Sequence, residues 1–268
     1  LTERVDEELL ATAPRLRIIS NMAVGYDNVD LAACRRRGLP VGYTPGVLTE
    51  TTADLAFALL LAAARRLVES AEYVKRGDWR YWGPLVLLGH DVHHATLGIV
   101  GLGRIGLEMA RRARGFDMRI LYTSRDRKPA AEAAHGLTYR ELPDLLAESD
   151  FVSLHVPLND TTRHLFGAAE LARMKPTAIL INTTRGPVVD QRALTEALRS
   201  GRIGGAALDV TDPEPIDPDD PLLSLPNVTV IPHLGSATIE TRTKMALLAV
   251  DNLLAGLAGR PLPHEIPS

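Results

Sequence analysis

The strongest constraint in this chain is the run Gly101-Leu102-Gly103-Arg104-Ile105-Gly106. It lies directly behind the apolar stretch Thr96 to Val100 and opens a helical pattern that reaches about Arg114. Three glycines at this spacing mean little alone. Between a buried strand and a helix, each has a job. The first permits a tight turn, the second lets backbone approach a pyrophosphate, and the third lets the helix pack closely on the sheet. The helix N-terminus adds N–H donors and positive potential. The run therefore reads as a dinucleotide-binding turn on Gly101, Gly103 and Gly106.

The rest of the chain alternates in the same way. Short apolar runs at Leu16 to Ser20 and Leu39 to Tyr43 bracket a helical stretch from Leu31 to Arg37. A long helix, capped by Thr49 or Thr51, is carried by Asp54 to Glu69. Its apolar residues run nearly all round, which suits burial on several sides or an interface. Residues 73–94, with Trp79 and Trp82, read as an extended arm or loop. Beyond the glycine turn, strands are expected at Met118 to Thr123, Phe151 to His155, Ala178 to Asn182, Gly205 to Val210 and Val228 to Ile231. Helices are expected at Leu142 to Glu148, Ala168 to Arg173, Gln191 to Ser200 and Thr238 to Leu257. Asp212 to Pro221 is a short ordered loop. This alternation predicts an α/β fold with a doubly wound, Rossmann-type parallel sheet.

Composition narrows the function. A chain of 268 residues with 46% hydrophobic and 24% charged residues is a globular protein of about two domains. A net charge of −3 gives no global basic field for nucleic acid. The longest apolar run, Leu55 to Ala64, is closed by Asp54 and by Arg65-Arg66, short of the roughly 20 residues of a membrane span. The one cysteine, Cys34, forms no internal disulfide and fits a reducing, cytoplasmic setting. His90, His93 and His94 lack partners at ligand spacing and read as a solvated loop, with no metal.

The strand after the fingerprint bears on cofactor choice. NAD enzymes usually place an acid there to bind the ribose 2′-hydroxyl. Here the strand ends in Ser124-Arg125-Asp126-Arg127-Lys128. Ser124 can bond a 2′-phosphate and Arg125 can fork onto it, with Arg127 adding charge. NADP(H) is the expected cofactor, and Asp126 leaves NAD(H) possible.

Three polar segments follow later strands: Asn182-Thr183-Thr184-Arg185-Gly186, Leu208-Asp209-Val210-Thr211-Asp212-Pro213-Glu214-Pro215, and Pro232-His233-Leu234-Gly235-Ser236. In an open parallel sheet, ligands bind at that edge. With Met22-Ala23-Val24-Gly25-Tyr26-Asp27, Thr44-Pro45-Gly46 and the glycine turn, they resemble the D-isomer-specific 2-hydroxyacid dehydrogenase family over nearly the whole chain. Within it, Thr44 to Thr52, the Trp79/Trp82 arm, Ser124-Arg125 and Asp209 to Pro215 most resemble the glyoxylate/hydroxypyruvate reductases. The resemblance implies that His233 donates a proton to the substrate carbonyl. Glu214 would hold the imidazole and favour its charged form. Arg185 would grip the substrate carboxylate and polarise the C=O. Backbone N–H groups at Val24 and Gly25 would complete the carboxylate site. Gly103, Arg104 and Ile105 would line the pyrophosphate, with Pro157, Thr183, Asp209 and Gly235 along the cofactor.

The resemblance also implies an organisation. Residues 1–44 are the first part of a smaller, flavodoxin-like substrate domain, 45–238 the nucleotide domain, and 239–268 a helix returning to the substrate domain. That substrate domain is expected to begin upstream of Leu1, by roughly 30 residues or more, and so to be N-terminally incomplete here. A homodimer through residues 49–94 is expected, with Trp82 nearest the neighbour's pocket. Two relatives with other roles stay open: phosphoglycerate dehydrogenase, and the non-enzymatic NAD(H)-sensing corepressors. Formate dehydrogenase is disfavoured, since its relatives carry Gln where Glu214 stands.

Overall fold

A computed structural model describes residues 3–266. The chain divides into two compact units, with boundaries at Thr51/Thr52 and Gly235/Ser236.

The unit formed by the two ends of the chain holds a two-stranded parallel sheet, β1 (Ile19–Ser20) and β2 (Val41–Gly42). Helices α1 (Glu7–Thr12) and α2 (Leu31–Arg36) pack with it around Leu10, Val29, Ala33, Cys34, Val41 and Ile266. Asp6 and Asp30 cap the two helices, each accepting a backbone N–H three residues on. The terminal helix Ile239–Leu257 is tied to this sheet by fully buried Asn252. Its amide donates to the Tyr43 carbonyl at 3.0 Å and accepts the His264 N–H at 2.9 Å.

The larger unit is built on seven parallel strands: β3 (Thr96–Val100), β4 (Arg119–Thr123), β5 (Thr138–Tyr139), β6 (Phe151–Leu154), β7 (Ile179–Asn182), β8 (Gly205–Leu208) and β9 (Val228–Val230). Their order is β5-β4-β3-β6-β7-β8-β9, so the winding reverses between β3 and β6. That reversal opens a crevice at the carboxyl ends of those two strands, the usual place for a nucleotide. The central strands are buried end to end, which explains their near-continuous apolar runs. Alternate residues feed two cores. Leu97, Ile99, Ile120, Phe151 and Ile181 face the helices α3 (Thr49–Ala64) and α5 (Arg104–Arg114). Val100, Leu121, Val152 and Leu180 face α7 (Leu142–Glu148) and α9 (Gln191–Arg199).

Some boundaries differ from the sequence expectation. Thr49 is the first residue of α3 and Thr51 lies inside it, its hydroxyl 2.6 Å from that of Thr241, so neither caps from outside. The long helix does not run on to Glu69. It stops at Ala64, and Arg66 takes a left-handed conformation (φ 51°). A separate helix α4 (Leu67–Lys75) follows, into what was expected to be arm. The Ala64 carbonyl accepts the His90 N–H at 2.8 Å, and Arg66 forks onto Glu69 in the first turn of α4 at 2.7 and 2.8 Å. Helix α6 (Pro129–His135) and strand β5 were not foreseen. Pro129 suits the first turn of a helix, and Gly136 closes it in the left-handed region. No helix among the described residues is long and apolar enough to cross a membrane.

Just past β6, His155 is enclosed. Ser153 Oγ lies 2.9 Å from its Nε2, and its Nδ1 is buried without a hydrogen-bond partner. Burial pushes this imidazole down to about 4. Below its unfolded value near 6.5, the unfolded chain binds a proton that the folded chain refuses, so stability falls as pH falls. Denaturant titrations should show about 2 kcal/mol lost to this group between about pH 7 and pH 5, and His155→Gln should flatten that slope. An unchanged slope in the variant would contradict the assignment.

Candidate active site

The glycine turn has the shape its sequence demands. Gly101 sits at φ +98°, and a Cβ there would lie 2.7 Å from the His155 carbonyl oxygen. A Cβ on Gly106 would overlap the Gly101 carbonyl oxygen. Gly103 is the N-cap of α5, has no side-chain cap, and faces open space. First-turn N–H groups of a helix have no intrahelical acceptor, so this end can receive an anion. Arg104 is exposed and Ile105 half-buried beside it. Farther along the same edge, the Thr183 hydroxyl oxygen is buried without a partner, an acceptor or donor that a bound ligand can satisfy. A dinucleotide fits these features. Pro157 is exposed beyond β6, its carbonyl accepting the Thr162 hydroxyl at 2.6 Å.

The basic turn behind β4 separates its charges. Arg127 forks onto Glu132 at 2.8 Å through both Nε and Nη2, with the Tyr139 ring 5.9 Å away. Glu132 also accepts the Tyr122 hydroxyl at 2.6 Å. Arg127 first, then Tyr122, hold its carboxyl down at about 2. Arg127 is thus engaged within the turn. The Arg125 side chain is 95% exposed, with Asp126 at 3.5 Å. Ser124 Oγ donates to the Asp126 carbonyl at 2.6 Å. Of the three residues expected to meet a 2′-phosphate, Arg125 is the most exposed, while the Arg127 guanidinium is paired with Glu132.

Arg185, Glu214 and His233 all lie beyond the carboxyl ends of β7, β8 and β9. Asn182, buried at the end of β7, shapes the first turn. Its Oδ1 accepts the Thr184 N–H at 3.0 Å and hydroxyl at 2.8 Å, while its amide donates to the Arg185 carbonyl at 2.9 Å. Sequence reasoning passed over this residue, although Asn followed by Thr-Thr is a recognisable Asx-turn signal.

His233 takes a left-handed backbone (φ 52°), rare for a side chain of this kind. Asp209 accounts for it. Its backbone carbonyl accepts the His233 N–H at 2.9 Å, and its carboxylate accepts the N–H groups of Leu234 at 2.5 Å and Gly235 at 2.8 Å. Thr52 adds a bond to the Gly235 carbonyl at 3.0 Å. Asp209 is 1% exposed, and burial raises its pKa despite the two amides and the nearby His233. So placed, His233 Nδ1 meets Glu214 Oε1 at 2.5 Å. Burial pushes the Glu214 carboxyl up, but His233 and the charge of Arg185 outweigh it, and its pKa ends below the ordinary value. With Nδ1 committed to Glu214, Nε2 is the nitrogen left for proton transfer.

Val24 and Gly25 belong to the other unit. Both are half-buried, and the Gly25 carbonyl accepts the Asn21 amide at 2.9 Å. The rings of His93 and His94 stack at 5.2 Å.

Residues 57–235 match the family described as D-isomer specific 2-hydroxyacid dehydrogenase, NAD binding domain. A glyoxylate reductase of Korarchaeum cryptofilum is 56% identical over 267 residues, covering 99% of this chain and 80% of that protein. The glyoxylate/hydroxypyruvate reductase B of Escherichia fergusonii is 52% identical over 96% of this chain and 80% of its own length. Among solved structures, the NADPH-dependent glyoxylate/hydroxypyruvate reductase of Sinorhizobium meliloti, in complex with NADP and malonate, superposes with a TM-score of 0.90. It is 37% identical, over 98% of this chain and 82% of that one.

The glycine geometry gives a direct test. Gly106→Ala places a methyl group on the Gly101 carbonyl, so the turn must shift. Fluorescence titration should show reduced cofactor bound about tenfold more weakly, or about 1.4 kcal/mol. Unaltered affinity would mean that the turn does not meet the cofactor.

Proposed function

The chain belongs to the D-isomer specific 2-hydroxyacid dehydrogenase family, and we propose that it reduces small 2-oxo acids, glyoxylate and hydroxypyruvate foremost, with NADPH as preferred reductant. The observation that carries this reading is the His233–Glu214 pair, within the field of Arg185 and on the same sheet edge as the glycine turn. The names of the relatives at 52–56% identity support the substrate choice.

When bound, the reduced nicotinamide supplies a hydride to the carbonyl carbon. The chain's own residues handle everything else. Arg185 holds the substrate carboxylate and draws electron density toward the carbonyl oxygen. The C=O electron pair moves onto that oxygen, which takes a proton from His233 Nε2 and becomes the hydroxyl of the product. Glu214 keeps the Nδ1 proton in place and fixes the orientation of the ring, so that Nε2 faces the transfer. His233 then regains its proton from water. Glyoxylate would give glycolate, and hydroxypyruvate would give D-glycerate.

Accessible Arg125 and the Ser124 hydroxyl support NADPH, as does the NADPH dependence of the Sinorhizobium relative. Steady-state oxidation of NADPH and NADH with both acids tests the reading. NADPH should turn over with the lower KM, and Arg125→Ala should raise that KM about tenfold while leaving NADH nearly unaffected. Turnover with NADH alone would overturn the cofactor assignment. Tight cofactor binding without turnover would favour the sensing corepressors.

A homodimer through residues 49–94 belongs to the same proposal. Trp79, Tyr81, Trp82, Leu85 and Leu88 are all exposed along this stretch, Trp82 to 80%. Tyr and Trp are enriched in interfaces. Sedimentation should find a dimer for the wild type, and Trp82→Ala should weaken it or change the preferred 2-oxo acid. Loss of neither property would contradict the role of the arm.

A further inference from the structure

Glu214 lies on an exposed loop and has no regular element of its own, yet its carboxylate must hold the imidazole to within a fraction of an ångström. The Thr211 N–H bonds that carboxylate from the start of the loop, and Gln191 adds a support from outside the loop. Gln191 is the first residue of α9 and half-buried. Its Oε1 accepts the N–H of Asp212, two residues before Glu214, at 2.9 Å. Its Nε2 donates to Asp220 Oδ2, also at 2.9 Å. The other Asp220 oxygen accepts the Leu222 N–H at 2.8 Å and so caps the short helix Pro221–Ser224. One amide thus joins the two ends of the loop that carries Glu214.

The post to which the loop is tied is rigid. Leu194, Thr195, Ala197 and Leu198 of α9 are buried, and the Asp190 cap accepts the Ala193 N–H at 3.0 Å. The loop's own bonds are local: Thr211 Oγ1 donates to the Pro213 carbonyl at 2.8 Å, the Thr211 N–H bonds the Glu214 carboxylate, and Asp217 accepts the N–H groups of Asp219 at 2.9 Å and Asp220 at 3.0 Å, so none of them ties the loop to α9. The chemistry of position 191 is also selective. It must offer an acceptor to a backbone N–H and a donor to a carboxylate. A glutamate there would face Asp220 with like charge, and an apolar residue would leave both groups unmatched.

We infer that Gln191 is a positioning residue for catalysis, which with Asp220 holds the Asp212–Asp220 loop so that Glu214 keeps His233 aligned. This rests on the reading of His233 and Glu214 as the proton-donating pair. A misplacement of about 1 Å at a reacting group can cost up to about a hundredfold in rate, so a hydrogen-bonded strap outside the pocket can matter to turnover.

The test is a cycle of variants assayed with glyoxylate and NADPH. Gln191→Ala and Gln191→Glu should each lower kcat about tenfold, with the KM for NADPH within about twofold of wild type. The double variant Gln191→Glu with Asp220→Asn restores a matched pair with the polarity reversed, since the asparagine amide now donates to the new carboxylate. It should recover kcat to within about threefold of wild type. A merely structural role would lower stability without this rescue. Gln191→Ala with wild-type kcat, or a double variant no better than Gln191→Glu, would overturn the inference. Glu214→Gln serves as the reference. If it is slow while Gln191→Ala is not, the strap alone is wrong. If Glu214→Gln also turns over normally, the proton-donating pair is wrong, and the strap with it.

Discussion

The site hangs on a buried carboxylate. Asp209 stands at the end of β8, almost wholly out of water, and its two oxygens receive the N–H groups of Leu234 and Gly235. Burying a carboxylate is costly unless its lone pairs are met. Here they are met by the backbone that follows His233. The constraint therefore runs both ways: the turn satisfies the acid, and the acid holds His233 in a left-handed conformation that it would otherwise avoid. Without that conformation the ring would not meet Glu214. The pair at 2.5 Å is a consequence of a backbone clamp two residues away.

The same economy recurs along the sheet edge. Asn182 folds the Arg185 turn through three hydrogen bonds, and Gln191 joins the ends of the Glu214 loop through two. Each functional side chain is long and charged or titratable, and each is carried on a loop. Each loop is fixed by a polar residue rooted in a strand end or a helix start. Rigid elements thereby lend precision to loops that the nucleotide and substrate must reach.

The glycine turn, the parallel alternation and the three strand-end segments were legible because each rests on a local rule. A strand–glycine–helix junction has few other uses, and apolar runs of this length are buried strands. What stayed hidden depends on which partner a side chain takes once the backbone is folded, near in sequence or far. Arg127 reads as one more cation in a basic turn, and only the fold brings Glu132 and Tyr122 against it. The stop at Ala64 coincides with a left-handed Arg66 and with capture of the Ala64 carbonyl by the His90 N–H, a partner that the local helix pattern does not reveal. Strand β5 is two residues long and owes its existence to the edge of β4. Gln191 looks like any polar residue at a helix start until Asp212 and Asp220 are seen on either side of its amide.

His233 stands in this reading as the proton donor of a hydride-transfer reaction. Rapid mixing of the NADPH-loaded protein with glyoxylate, for the wild type and His233→Gln, tests it most directly. The wild type should oxidise NADPH fast, and the variant should lose about a hundredfold or more while still binding NADPH normally. Equal rates in the two proteins would contradict it.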